Sequence, residues 1–572
     1  MLAVTCLAAC GVLSASDSEL PRLLLVISAW SGLFLIALFL GPKVAVLLSK
    51  LLWKVFRWLF SWRVIKRCLI ASACLAVLVT LFYAEENWRG RRAWDSFKRE
   101  WEAKGESFDF ASFVPPPVPD DQNFALTPIV ASCYSRVLDR NGHAIVPQNT
   151  NILNRIEMGV YRENDYGNTN MQFGSWQKGK LTNLKPWQEY YRSSAILTNE
   201  FPVAPQPPSP AADVLLALSR YDSAIEELRQ ASRLPGSRFP LSYDKEYPYA
   251  YAILLPHLAA LKKCALVLEL RAIAELQNEQ SGMALDDVKL SLRLTDSIRT
   301  EPTLISHLVR IAFLNLAIQP VWEGLTEHKW SSAQLAELDR ELARLDFLSD
   351  LQFSMRGERA FALGEIDNLE KHRSYREVAG FFSVLKSDGA TDTVNALAFY
   401  LMPSGWFYQN KLVISQIHQQ GILQMTDPGK HLASPQSVRV VDKSVSLLLL
   451  ERPWNFLAGM LLPALSATGK KYAFAQGSVD LARVACVLER YRLAHGQYPE
   501  TLDTLAPQFI AKLPHDVISG QPLKYRRTED GQFVLYSVGW NETDDGGTVD
   551  LKPSGRSADI EKGDWVWFSS PR

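Results

Sequence analysis

A chain of 572 residues has room for two or three domains, and 61 Lys plus Arg against 61 Asp plus Glu leave it without net charge. That balance excludes nucleic-acid binding through bulk charge, because such binding needs a basic excess to neutralise phosphates. Seven cysteines without a Cys-x-x-Cys exclude a zinc ribbon and a thioredoxin-type motif.

The first 16 residues are apolar, and Leu7-Ala8-Ala9-Cys10 matches a lipoprotein cleavage box. No basic n-region and apolar h-region fit before Cys10, so the match reads as chance, with a misassigned start as the alternative. Two uncharged apolar runs follow, 23–40 with 18 residues and 68–84 with 17. Each is near the lower limit for a membrane span, which takes about 20 residues. Lys43, Lys50, Lys54, Arg57, Arg63, Lys66 and Arg67 lie between them. The positive-inside rule places that loop in the cytoplasm and residues 85–572 in the periplasm. Arg89, Arg91, Arg92, Lys98 and Arg99 after the second run argue the other way. Within the loop, Lys50, Lys54 and Arg57 recur at helix spacing beside Trp53, Phe56, Leu59 and Phe60. Either a basic interfacial helix on lipid or an ordinary positive loop satisfies that pattern. Residues 1–86 thus read as a transmembrane helix hairpin of an inner-membrane protein.

Residues 87–210 form the next stretch. The spacing predicts a Trp-rich helix over 87–104, continuing from the second span. Pro115-Pro116-Pro117-Val118-Pro119 favours polyproline II and predicts a stiff spacer. Residues 122–194 are polar and rich in Asn, Gly and Tyr, which predicts irregular structure with a few short strands. Pro202 to Pro210 makes a second break.

Residues 211–470 read as a helical domain. Helices are predicted over 214–232, 250–277 with a break at Pro256, 284–300, 303–326, 332–346 and 348–370, with Ser331-Ser332 as an N-cap. Short connections favour antiparallel neighbours, hence a bundle. Residues 380–436 read as looser, with the aromatic run Phe399 to Tyr408 serving packing or a binding face. Of the cysteines beyond residue 85, Cys133, Cys264 and Cys486, at most two can join in an internal disulfide, and Cys264 and Cys486 sit on apolar helix faces. No His-Glu-x-x-His, Gly-x-Ser-x-Gly, phosphate loop or Gly-x-Gly-x-x-Gly occurs. The best carboxylate pair is Glu358 and Glu365, on one helix face. Two carboxylates can do acid–base work on a glycosidic bond, but Arg356 and Arg359 beside Glu358 favour a structural ion-pair face.

Residues 471–572 show a definite order of parts. A helix ends in ERYRLAHGQYP, with Gly496 as its stop. A short helix over 500–505, the LPHD element at 513–516, and two alternating runs, 523–526 and 533–538, split by Glu529-Asp530-Gly531 follow. The runs predict a β-hairpin, and the last loop, 541–564, is acidic and Gly-rich. This order resembles the globular half of the major pseudopilin of type II secretion, through the YP, LP-x-D, QPLKYRR and LYSVG elements and a Gly-rich loop ending in ADI. The resemblance implies a calcium ion in the final loop, held by the main chain near Ser537 and the side chains of Asp544, Asp545 and Asp559. Calcium takes six to eight oxygens, which such a loop can supply; a solvated acidic turn is the alternative. Trp540-Asn541-Glu542 stands where the family has its first Asp, and no Gly-Phe-x-x-x-Glu leader starts the chain. Filament assembly by the usual pilin route is therefore not expected.

Across residues 85–572, the PPPVPDDQNF, LVLELRAIAEL and PSGWFYQNK blocks and the pilin-like tail are similar to a family of uncharacterised bacterial envelope proteins. The expected architecture is mainly α with a C-terminal α+β domain. The expected function is a non-enzymatic, membrane-anchored periplasmic scaffold that contacts membrane lipid and other envelope proteins, near a secretion or pilus-like apparatus. The alternative is a glycan-acting envelope enzyme using Glu358 and Glu365.

Overall fold

The computed structural model describes residues 50, 53–54, 57, 62–134, 137–138, 144–145, 158–161, 171–198, 201–206, 209–241, 243, 255–371, 399–400, 402–451, 453–462, 467–555 and 557–571. The chain divides into two compact units, Met1–Glu85 and Glu86–Arg572. The predicted span 23–40 and most of the basic loop fall outside the described residues.

Helix α1 covers Trp62–Glu102 and contains the whole run 68–84. It is long and apolar enough to cross a membrane, and none of its apolar stretch is buried. Leu69, Ile70, Leu75, Leu78 and Leu81 all stand exposed. A second helix passes the same length and composition test, Leu304–Thr326, but most of it is buried. Its apolar side chains serve a protein core rather than a lipid phase.

The second unit is mainly helical. After α1 come α2 (Lys185–Thr198), α3 (Pro210–Leu218), α4 (Asp222–Ala231), α5 (Pro256–Gln277), α6 (Ser281–Ser297), α7 (Leu304–Thr326), α8 (Ser332–Leu342) and α9 (Phe347–Lys371). Then follow α10 (Ser404–Gln420), α11 (Pro435–Glu451), α12 (Phe456–Leu461) and α13 (Thr468–His495). The local rules explain most boundaries. Pro256 starts α5 at a first-turn position where its missing N–H costs nothing. The Ser331 hydroxyl and the Gln334 amide complete a reciprocal capping box on α8. Gly496 closes α13 with φ +77°.

Several elements differ from the sequence reading. The single helix expected over 214–232 is two, because a 3-10 turn at Ser219–Tyr221 redirects the chain. Helix α10 lies in the stretch expected to be loose; its Phe407 and Ile414, seven apart, are both fully buried. Helix α2 lies in the stretch expected to be irregular, with Trp187, Tyr190 and Tyr191 buried on it. The short helix at 500–505 is a 3-10 turn, Leu502–Leu505. The proline run is seated on the body rather than free of it: Pro115 is buried, and a Cβ on Gly236 would meet Val118 Cγ1 at 2.5 Å.

Helices α5, α6 and α7 pack against one another, each touching the other two. Helix α13 runs through the centre, against α7, α8 and α9 on one side and the C-terminal strands on the other. It is buried from Thr468 to Glu489 almost all round, as a helix enclosed by neighbours must be. One continuous apolar cluster runs from Trp176 through α13 to Phe568; a second fills the space among α2, α3, α4, α5 and α6. Strands β5 (Lys524–Arg527), β6 (Phe533–Ser537) and β9 (Trp565–Phe568) form an antiparallel sheet in the order β5-β6-β9. Among the described residues six strands lie outside this sheet: the two-stranded ladders β1 (Val137–Leu138) with β2 (Ala144–Ile145) and β3 (Thr426–Asp427) with β4 (Leu432–Ala433), and the pair β7 (Val549–Leu551) with β8 (Ala558–Gly563). The β5–β6 turn closes with Gly531 at φ +80°, where only glycine is unstrained. Gly477 lets the Trp565 ring lie within 3.0 Å of where its Cβ would be, so α13 touches the sheet closely.

Candidate functional site

The loop over 541–564 is organised by a residue that the sequence reading did not single out. Asp564 is buried and accepts hydrogen bonds from the main-chain N–H groups of Gly547 (2.7 Å), Thr548 (3.3 Å) and Asp545 (3.3 Å). Burial raises its pKa, and those amides work against the rise. Its signal in the sequence is position, as the last carboxylate before the apolar run 565–568, where a buried acid requires partners.

The four expected calcium ligands have separate protein partners. The Ser537 hydroxyl donates to Asp516 Oδ1 at 3.0 Å, while Asp516 Oδ2 accepts the Val538 N–H at 2.9 Å. The LP-x-D and Ser-x-Gly elements therefore meet directly. Asp544 accepts from the Tyr536 hydroxyl (2.8 Å) and pairs with Lys524 (3.1 Å), which keep its carboxyl below the usual range. Asp545 Oδ2 accepts from the Asn541 amide at 2.8 Å, and Asp559 Oδ1 accepts from the Glu561 N–H at 3.1 Å. Among the described residues no three His, Cys, Asp or Glu side chains are grouped to hold a metal ion. A small cavity beside the loop is lined by Trp176, Phe474, Ile560, Trp565, Asp559 and Asp564.

The two candidate carboxylates of α9 have different settings. Glu358 Oε1 accepts the Leu304 N–H at 2.7 Å and so caps the start of α7; Glu365 is buried lower on the same helix. Arg356 and Arg359 do not complete an ion-pair face with Glu358. They converge on Glu106, just after α1, with Arg356 bidentate at 2.9–3.2 Å and Arg359 at 2.8 Å. Burial would raise the Glu106 pKa; the two guanidiniums outweigh it and hold the carboxyl at about 2. The partners lie some 250 positions apart, beyond any local pattern.

A second contact, within the second unit, is made by the stretch of α1 from Glu86 on. Glu86, Gly90 and Trp94 form its buried stripe. A Cβ on Gly90 would lie 2.2 Å from the Gly405 carbonyl oxygen, and one on Gly405 would lie 2.0 Å from the Glu86 oxygen. Only two glycines permit backbones that close. The Gly405 N–H donates to Asn87 Oδ1 (2.7 Å), and Trp406 Nε1 (3.0 Å) and Gln409 Nε2 (2.9 Å) donate to Glu86 Oε2. Lys411 lies over the Trp94 and Tyr408 rings and donates to Asp367 at 2.6 Å. The PSGWFYQNK block is thus the seat of the 86–94 stretch of α1.

The ERYRLAHGQYP element is a third junction: Glu489 receives Arg492 and the Tyr498 hydroxyl and lies 2.9 Å from His328 Nδ1 at the end of α7. Buried His257 lies 2.7 Å from Glu301, and His431 Nε2 lies 2.7 Å from Asp480. No protein-family description matches this chain, and no curated protein or solved structure matches it either.

Proposed function

We propose that the chain is a membrane-anchored scaffold of the bacterial envelope, with residues 86–572 in the periplasm and the part over 471–572 acting as a pseudopilin-like contact module. The observation that carries this reading is α1. A single helix contains an exposed apolar run of spanning length and then, from Glu86 to Trp94, a face built for the Gly405 contact. The pseudopilin reading draws support from α13 lying against an antiparallel sheet and from the Asp516–Ser537 bond between two of its motif elements. The partners are other envelope proteins, in or near a secretion or pilus-like apparatus.

In-cell crosslinking of the full-length chain, followed by detergent purification and mass spectrometry, tests the proposal. Recovery of secretion or pilus components supports it. Recovery of the chain alone, at crosslinker doses that capture a known envelope complex, rejects it.

A further inference from the structure

The three cysteines of the second unit have different settings. Cys486 is fully buried on α13 within the larger core. Cys264 is fully buried on α5, inside the second apolar cluster. Cys133 lies in the 3-10 turn Ser132–Tyr134 and is partly exposed. That turn rests on α5, and the Cys133 side chain packs against the cluster that encloses Cys264. Burial raises the Cys264 pKa far above the ordinary thiol value, and the nearby charge of Cys133 raises it further.

We propose that Cys133 and Cys264 are a redox pair that closes into a disulfide between the turn and α5. The exposed partner reacts first. Cys133 loses its proton to solvent and attacks one sulfur of an external disulfide, such as that of an oxidised thiol oxidoreductase. A mixed disulfide forms and one thiol leaves. Cys264 then releases its proton and attacks Cys133 Sγ; the internal S–S bond forms and the second thiol leaves. Two protein thiols are oxidised and one external disulfide is reduced to two thiols. The raised pKa of Cys264 makes the second step slow, which suits a closure formed once and kept, not a turnover couple. A cross-link over a long loop restricts the unfolded chain and so stabilises the fold. Formation in the cell rests on the periplasmic placement proposed above, because such bonds persist in oxidising compartments; the capacity to form rests on the contact of the turn with α5 and the shared apolar cluster.

The test uses purified full-length protein in detergent with oxidised glutathione as the probe, then non-reducing peptide mapping. The expected result is a linked Cys133–Cys264 peptide and a melting temperature higher by about 5 °C, reversed by dithiothreitol. Cys133→Ser removes both, and Cys486→Ser removes neither. A glutathione adduct on Cys133 without the linked peptide, or no reaction at Cys133, overturns the proposal. Protein taken from cells with thiols blocked at lysis separates the two readings. A linked peptide there supports both. Reduced thiols in cells with ready linkage in vitro sustain the pair and reject the periplasmic placement.

Discussion

Glu489 and Glu323 are each 2% exposed, yet their surroundings drive them in opposite directions. Glu489, in the junction between α13 and the end of α7, accepts two hydrogen bonds from Arg492 (2.6 and 2.8 Å) and one from Tyr498 (2.7 Å), with His328 beside it. Burial would raise its pKa, but these partners outweigh it and hold the carboxyl at about 2. Glu323, between α7 and the segment before α2, accepts the Thr182 N–H (3.0 Å), the Thr182 hydroxyl (2.6 Å) and the Gln319 amide (2.7 Å). All three donors are neutral, and burial lifts its pKa to about 7. Glu269 on α5 is pushed up as well, by burial first and then by the charge of Glu323. Depth of burial is therefore not what decides the charge. At Glu489 the guanidinium outweighs burial, and at Glu323 neutral dipoles do not; a guanidinium is not sufficient where acids share it, because Glu275 and Asp287 are both raised beside Arg271. The junctions that hold distant parts of the chain together, at Glu106 and Glu489, belong to the first kind.

The largest effect should come from stranding a cation of that first kind. Glu106→Ala leaves Arg359, whose side chain is 0% exposed, without its carboxylate. The expected loss is about 4 kcal/mol, read by chemical denaturation of the detergent-solubilised chain. A loss under ~1 kcal/mol would mean that water replaces Glu106 at no cost. Glu489→Gln should cost less, about 2 kcal/mol, because Arg492 is partly solvated. Its pH dependence has a fixed sign. Glu489 is lowered from 4.5 to about 2, so its contribution is full above the unfolded value and disappears as pH falls through about 2. The difference between the wild type and the variant should therefore shrink between pH 4.5 and 2. Glu323→Gln is the opposite case. The folded pKa is raised to about 7, so the wild-type contribution is full below 4.5 and is lost as pH rises through about 7. The variant should match the wild type at pH 5 and exceed it by about 2 kcal/mol at pH 8. Equal stability at both pH values would show that Glu323 stays charged, and the contrast with Glu489 would fail.

These junctions also mark where sequence reading stops. The apolar run of α1, the Ser331 cap, the Gly496 stop and the turn before β6 are set by neighbours in the chain, and each was legible. Helix α10 was hidden because Pro403, Gly405 and the aromatic residues after them carry loop-like composition, although they serve the Gly90 contact. The proline run suggested a spacer because nothing local shows that Val118 lies on Gly236. The sequence pairs Arg356 and Arg359 with the carboxylate beside them, since local charge pairs are the only ones a pattern can show; their partner, Glu106, comes from a remote segment. In the acidic loop the exposed carboxylates Asp544 and Asp545 drew attention, while Asp564, buried and bonded to three amides, holds the loop's shape.

That last difference supports the smallest predicted effect. The Lys524–Asp544 pair is solvated on both sides, so Asp544→Asn in chelator should change stability by about 0.5 kcal/mol or less. Millimolar calcium should shift the melting temperature by less than about 1 °C, because a ligand stabilises only in proportion to its binding to the folded form. To gather around a cation, Asp544 would have to leave Tyr536 and Lys524, and Asp545 would have to leave Asn541. A calcium-dependent rise of several degrees that Asp544→Asn removes would show that these exposed pairs yield to a cation. Surface carboxylates would then be the functional acids of the loop, and Asp564 only their support.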